Sequence, residues 1–462
     1  MTQLADGQSV VWTSDHEFSA FGTEFEVAEL RSPRSDRRPG ARPRLAIHKS
    51  REHVEAFIDL VMAFPSSRIV EIGIKAGGST ALLAQLGHPS RLVAIDITPT
   101  AASGLEAFLD IQGLRETVHP YYGVDQSDQH RLTSIVAHEF GGAAIDLVID
   151  DASHLLRPTR ASFSVLFPRL RPEGLFVIED WSWEHAIADK LVSALCSDVP
   201  SQHLEVHELL QLFETLGVSP EMLAPLGSGE LLSDLLAELI VGKADGDVAI
   251  GDITIRPFAT EVRRGPNTAG EDELGRVLQA VGPRRILHVG RPNLDVLRQI
   301  SRSGGGELVV MSREPPGEHG PGPPVTHVSL AAPPALSSEA VRRLCDAPFD
   351  AVIDGLSPDG EQARDLASAL LPCVRPGGAY LIRGWPRLVA PRSVAEPEAS
   401  RRRTPRLFLE LILGVAEWHD AIEELRLGDD WLTVRPGPRA SRVEVFDVGD
   451  LYRDHFRSLS RA

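Results

Sequence analysis

The feature that most constrains this chain is that it repeats itself. Residues 349–385 lie over residues 145–181 without a gap, at an offset of 204, and about 14 of the 37 positions are identical. The shared positions include Asp146/Asp350, Asp150/Asp354, Pro168/Pro372, Pro172/Pro376, Gly174/Gly378 and Trp181/Trp385. Further echoes fall in the same order: Arg68–Gly73 (RIVEIG) against Arg285–Gly290 (RILHVG), Leu92–Ile95 against Leu308–Met311, and Glu238–Gly242 against Glu410–Gly414. A repeat on this scale reads as a duplicated domain and not as a solenoid of short units. In a chain of 462 residues, it sets the expectation of two large domains built on one plan.

That plan alternates short apolar strands with helical stretches. A helix is expected over residues 52–64, where Val54, Phe57, Ile58, Val61 and Met62 recur at helical spacing before Pro65 ends it. Strands follow at Ile69–Ile72, Leu92–Ile97, Val118–Tyr122, Ile145–Ile149 and Leu175–Ile178, with helices between them. Units of this length pack as a parallel sheet with helices on both faces. The expected fold class is therefore α/β, a tandem duplication of a Rossmann-like, doubly wound sheet. A helical region near 184–241 and a hairpin of late strands at Val248–Ile255 and Thr260–Arg264 complete the first copy, and Arg264–Gly270 reads as the linker. The expected division is a weakly patterned N-terminal segment (1–50), a first copy (51–265) and a second copy (266–462). Arginine, proline, serine and glycine crowd residues 31–44, a surface loop or a lid over an anionic ligand.

Lysine and arginine total 47 against 65 aspartates and glutamates, a net charge of −18. A surface that acidic repels phosphate backbones and anionic lipid, so neither nucleic acid nor membrane is an expected partner. No stretch approaches 18 consecutive apolar residues, and Met1–Trp12 lacks a secretory pattern, which points to a cytoplasmic protein. Cys196, Cys345 and Cys373 are far apart and offer neither a disulfide framework nor a C-x-x-C metal site.

The chemistry concentrates in the first copy. Its first strand turns into a helix through Glu71-Ile-Gly73-Ile-Lys-Ala-Gly77-Gly78-Ser79-Thr80. Glycines there let the backbone approach a ligand closely, and the helix N-terminus favours an anionic group. Gly73 and Gly77 stand four apart, which is neither the G-x-G-x-x-G of a dinucleotide enzyme nor a Walker loop. The second strand ends in Asp96, the position that reaches a ribose hydroxyl in nucleotide-binding α/β folds. Asp125 and Gln126, after the third strand, suit an adenine edge. The fourth and fifth strands end in Asp150-Asp151-Ala-Ser-His154 and Glu179-Asp180. Neighbouring parallel strands deliver their C-terminal residues to one crevice, so Asp151, Glu179 and Asp180 are expected to meet as three carboxylates. Such a set needs a cation, and oxygen ligands suit Mg²⁺. His154 would stand beside it as a base titrating near neutrality. Taken singly, each residue is as readily a helix cap or a structural group. Their joint register with the strand ends carries the reading.

With Glu71-x-Gly-x-x-x-Gly-x-Ser79, Asp96, Asp150-Asp-x-Ser-His154 and Val177-Ile-Glu-Asp-Trp181, the chain resembles the class I S-adenosylmethionine-dependent methyltransferases. Within them it is most similar to the metal-dependent macrolide-sugar O-methyltransferases of the macrocin and mycinamicin type. The resemblance covers roughly residues 52–182, with a weaker tail to about 264. It implies S-adenosylmethionine and Mg²⁺ as cofactors. It implies that Glu71, Gly73, Gly77, Ser79 and Asp150 surround the cofactor, with Asp96 on the ribose and Asp125 and Gln126 at the adenine. Asp151, Glu179 and Asp180 would be the Mg²⁺ ligands and His154 the general base. Catechol-type enzymes place a lysine where His154 stands, which favours a sugar or polyol hydroxyl on a small, glycosylated secondary metabolite. The alternatives are a phenol, amine or carbon acceptor, or a non-catalytic scaffold, and a homo-oligomer is compatible with each.

In the second copy Gly355 aligns with Asp151, Pro358 with His154, and Arg383-Gly384 with Glu179-Asp180. Gly290-Arg-Pro-Asn-Leu294 replaces the glycine turn, and Ser312 or Arg313 stands where the ribose-binding acid should be. Core and turn residues persist while the chemistry is gone, the expectation for a degenerate domain with a structural, substrate-shaping or oligomer-forming role.

Overall fold

The computed structural model describes residues 2–3, 9–27, 45–64, 66–183, 231–265, 273–304, 306–312, 325–329, 347–356, 360–389, 406–416 and 421–437. The chain divides into two compact units, residues 1–179 and 180–462.

The first unit opens on a small sheet where the sequence showed little pattern. Strands β1 (Thr2–Gln3), β2 (Ser9–Ser14), β3 (Glu17–Ala20), β4 (Thr23–Val27) and β5 (Leu45–Ile47) lie in that order, antiparallel except that β5 runs parallel to β4. Phe18, Ala20, Phe25 and Val27 alternate inward, and Phe18 stacks on Phe25 with centroids 4.8 Å apart. With two or three inward residues per strand, the alternation is too short to stand out from sequence. The arginine-rich stretch at 31–44 lies outside the described residues.

Ser50 accepts the His53 N–H through its hydroxyl and caps α1 (Arg51–Ala63). The main sheet of this unit then builds as expected. Strands β6 (Arg68–Ile72), β7 (Arg91–Asp96), β8 (Val118–Tyr122), β9 (Ile145–Asp150) and β10 (Leu170–Glu179) pair in parallel in the order β8-β7-β6-β9-β10. Helices α2 (Gly78–Gly87), α3 (Ser103–Gln112), α4 (Gln129–Phe140) and α5 (Leu156–Leu166) are the crossovers. Strand β9 is buried along its whole length, as a strand covered on both faces must be. The strand order reverses at β6, between β7 and β9. Open α/β sheets bind ligands outside the strand ends at such a switch point.

The second unit contains α6 (Leu232–Ala244) and the expected hairpin, β11 (Ile250–Ile255) with β12 (Ala259–Arg264). There follow α7 (Glu273–Val281), β13 (Arg285–Val289), α8 (Leu294–Arg302), β14 (Glu307–Ser312), β15 (Val325–Ser329), β16 (Phe349–Asp354), α9 (Gly360–Leu370), β17 (Val374–Arg383), α10 (Arg406–Val415), β18 (Ile422–Leu427) and β19 (Trp431–Pro436). Five parallel strands take the order β15-β14-β13-β16-β17, after which β19, β18, β11 and β12 add in antiparallel fashion. Because β11 is hydrogen-bonded to β18, the hairpin belongs to this unit, whereas a division at residue 265 assigns it to the first. Most of the 184–241 region expected to be helical lies outside the described residues.

Fine geometry recurs between the two repeats of the sequence. Gly73 donates its N–H to Ile95 O at 2.8 Å, and Gly290 donates to Met311 O at 2.8 Å. Asp146 Oδ2 accepts from Ser67 N and Arg68 N at 3.0 and 2.8 Å; Asp350 Oδ2 accepts from Arg284 N and Arg285 N at 2.7 Å each. Trp181 and Trp385 are fully buried and donate through Nε1 to Arg256 O and Gly428 O at 2.8 and 3.0 Å.

Cys373 is disulfide-bonded, a pairing that the expectation of no disulfide framework did not foresee, because separation along a chain sets no distance in the fold. Cys196 and Cys345 lie outside the described residues. Among the described residues, no helix is long and apolar enough to cross a membrane.

Candidate active site

Glu71, Gly73, Gly77 and Ser79 follow one another from the last turn of β6 into α2. Glu71 is buried and accepts the Thr80 hydroxyl at 2.5 Å. Burial pushes its carboxyl up to about 7, against the hydrogen bonds from Ser79 and Thr80. Gly73 has φ +104°, and a Cβ there would lie 2.1 Å from Asp151 O, so only glycine lets this turn touch the loop after β9. Asp151 closes the contact by donating its N–H to Ile72 O at 2.8 Å.

Asp96, at the end of β7, holds the glycine turn from the other side. Its Oδ2 accepts from Ile74 N and Lys75 N at 2.8 and 2.7 Å, and its Oδ1 from Thr98 N at 2.7 Å. Burial works against the charge, but the backbone donors of Lys75, Thr98 and Ile74 outweigh it and keep the carboxyl below the usual range. Asp125 and Gln126 part company. Asp125 is exposed and binds Ser127 within its own turn. Gln126 is buried, donates from Nε2 to both oxygens of Asp150 at 3.1 Å and accepts Ser153 N at 3.0 Å. Asp150 also accepts the Ser162 hydroxyl at 2.5 Å, and burial raises its carboxyl to about 6.

Beyond these strand ends, Asp151, His154 and Asp180 each offer one ligand atom, all within 4.8 Å of one another. His154 Nε2 stands 3.8 Å from Asp151 Oδ1. Both His154 (φ +54°) and Asp180 (φ +49°) adopt the left-handed conformation, which costs a non-glycine residue roughly 1–3 kcal/mol. They are two of the six non-glycine residues with positive φ among the described residues.

Glu179 is held differently. Its Oε2 accepts from the ammonium of Lys49, and His53 Nε2 lies 3.1 Å away. Lys49 also donates to Asp151 Oδ2 at 2.6 Å. Asp151 is thus divided, Oδ2 toward Lys49 and Oδ1 toward His154. Burial opposes charge on both Lys49 and Glu179, but Asp151 and Glu179 together raise the lysine, and Lys49 with His53 lowers the glutamate. Sequence reasoning missed Lys49 and His53. They stand outside every motif, and the one signal was that Lys49 is one of only four lysines in the chain.

The second repeat (266–462) holds no comparable cluster among the described residues. Gly355 donates to Val289 O at 3.0 Å where Asp151 donates to Ile72. A Cβ on Gly290 would meet the Leu356 side chain at 2.8 Å, so a leucine covers this turn. Arg383 pairs with Asp430 at 3.0 Å and lies over the Trp431 ring. Pro358 and Arg313 lie outside the described residues.

Residues 70–181 match the family model described as a methyltransferase domain. Demethylmacrocin O-methyltransferase of Streptomyces fradiae is 33% identical over 120 residues, covering 24% of this chain and 27% of that one. The 8-demethyl-8-alpha-L-rhamnosyl tetracenomycin-C 2'-O-methyltransferase of Streptomyces olivaceus is 40% identical over 74 residues, covering 13% and 20%. The chain therefore spans about a quarter of the length of the curated relatives it matches. Among solved structures, the MycE methyltransferase from the mycinamycin biosynthetic pathway, in complex with Mg and SAH, aligns with a TM-score of 0.31 and 23% identity over 47% of this chain and 50% of that one.

Proposed function

Taking the methyltransferase domain at residues 70–181 as the premise, we propose that this chain moves the methyl group of S-adenosylmethionine to a hydroxyl on the sugar or polyol part of a secondary metabolite. The observation that carries the reading is the convergence of Asp151 and His154, in the loop that touches the glycine turn at Gly73, with Asp180 just past the end of β10. Methyl donor and acceptor hydroxyl then share one crevice. The rhamnosyl acceptor in the name of one relative supports a sugar hydroxyl.

The donor set fits Mg²⁺, which binds through one or two carboxylates and leaves its other positions to water and substrate oxygen. Asp151 and Asp180 would hold it, with Glu179 beside Asp151 across the shared Lys49 ammonium. When bound, Mg²⁺ lowers the pKa of an acceptor hydroxyl and fixes its place. His154 takes the hydroxyl proton on Nε2, the oxygen forms its bond to the methyl carbon, and the sulfonium C–S bond breaks to leave S-adenosylhomocysteine. Asp96 and the Gly73–Ser79 turn hold the nucleoside and methionine ends. Bringing oxygen and methyl to near-attack distance supplies a large share of the rate, up to about 7–11 kcal/mol at the limit.

The second unit is best read as a copy of the first that has lost its chemistry. The matched strand order, the Asp146 and Asp350 pins and the paired tryptophans support common descent. Leu356 over the turn and the Arg383–Asp430 pair support the loss of a cofactor site.

Calorimetric titration of S-adenosylmethionine into metal-stripped protein, repeated with Mg²⁺ and with Asp151→Ala, tests both statements. One cofactor site per chain, and a Mg²⁺ site that Asp151→Ala removes, are expected. No cofactor binding would overturn the methyltransferase reading, and two cofactor sites would overturn the reading of the second unit.

A further inference from the structure

The ammonium of Lys49 lies between two carboxylates, bonded to Asp151 Oδ2 at 2.6 Å and to Glu179 Oε2. It comes from the short segment joining β5 to α1, 102 residues before Asp151. Lys49 is 5% exposed, and its Nζ lies 5.4 Å from the centre of the Phe57 ring. A cation so enclosed is tolerable only because the two carboxylates compensate it. The two carboxylates, in turn, can stand this close because a cation stands between them.

Resting on the proposed metal-dependent reading of this site, we propose that Lys49 is a tethered counter-ion that competes with the divalent cation for Asp151 and Glu179. With the ammonium in place, an entering cation meets the charge of Asp151, Glu179 and Asp180 less one. With it withdrawn, all three carboxylates act on the cation. The residue type suits the role. Lysine is a compact point charge on a flexible stem that can retreat, whereas the arginine used almost everywhere else in this chain would lock a carboxylate in its planar fork. His53 Nε2, 3.1 Å from Glu179, keeps a polar partner on that carboxylate when the ammonium leaves.

The test is Mg²⁺ titration calorimetry on the full chain without acceptor, comparing wild type, Lys49→Met and Lys49→Arg. Removing the competing charge should tighten Mg²⁺ binding at least about tenfold in Lys49→Met, and Lys49→Arg should bind no tighter than wild type. A second measurement needs no variant. Acetic anhydride labelling of wild type, read by mass spectrometry, should find Lys49 protected without Mg²⁺ and labelled with it, with the exposed Lys75 as the internal reference. Wild-type Mg²⁺ binding with equal or weaker binding in Lys49→Met overturns the counter-ion role and leaves the metal-dependent reading standing. Absence of Mg²⁺ binding in every form overturns both. If Lys49→Met does not fold, Lys49 labelling that ignores Mg²⁺ overturns the proposal by itself.

Discussion

Arg171 donates through Nε to Asp146 Oδ1 at 2.8 Å, while the other oxygen of Asp146 takes the backbone N–H groups of Ser67 and Arg68. One carboxylate thus ties the starts of β6, β9 and β10 together, at the end of the strands opposite to the one that carries Asp150 and Asp151. Arg375 and Asp350 make the same arrangement at the starts of β13, β16 and β17.

Asp146→Ala should therefore be a stability mutant. It leaves two backbone N–H groups and a guanidinium without their acceptor, a loss of about 2–4 kcal/mol. Urea unfolding would measure it, and S-adenosylmethionine affinity per folded molecule should not change. A loss under about 1 kcal/mol would show that the pin is not holding the sheet.

Gly73→Ala should fail on two counts. Alanine is strained at φ +104°, and its Cβ would lie 2.1 Å from Asp151 O. Either the turn or the Asp151 loop must move, at a cost of about 3 kcal/mol or more. Cofactor affinity measured by calorimetry should fall at least about tenfold in whatever fraction folds. Alanine at Gly142, where nothing lies within 4 Å, is the control and should be neutral.

His154→Ala should separate binding from turnover. Loss of a general base costs about 10²–10⁴-fold in rate, so kcat should fall by that much while S-adenosylmethionine binding stays within about twofold. Near-normal turnover would remove His154 from the mechanism. His154→Asn, which is polar and favours the left-handed backbone, controls for the strained φ of +54°.

Glu71 gives a pH dependence with a definite sign. Its carboxyl ionises near 4.5 when unfolded and near 7 when folded, because burial resists the charge. Between those values the folded state binds more protons than the unfolded state, so this group's contribution to stability declines as pH rises from about 4.5 to about 7. Below that window the group makes no difference, and above it the full penalty applies. Glu71→Gln keeps an acceptor for Thr80 and removes the penalty. Relative to wild type it should gain stability between pH 5 and pH 8, on the order of 2 kcal/mol. Parallel curves for the two proteins across that range would refute it.

The sequence by itself determined the layered α/β plan. Apolar runs of five or six residues recur at crossover spacing, and the periodicity of a strand buried on both faces is a local property. It determined which residues stand at the ends of those strands, and so the presence of Asp96, Asp150, Asp151, Glu179 and Asp180 near one rim. It did not reveal the small N-terminal sheet, whose strands are too short to show their period. Tertiary structure alone decided how the polar groups pair. Gln126 turns inward to Asp150 while Asp125 stays in water, because burial of Asp150 demands donors. Glu179 meets His53 and shares the Lys49 ammonium with Asp151, while Asp180, in left-handed backbone just past the end of β10, joins Asp151 and His154. Lys49 reaches Asp151 across 102 residues. A contact of that kind is fixed by the packing of one segment on another, and no spacing along the chain records it.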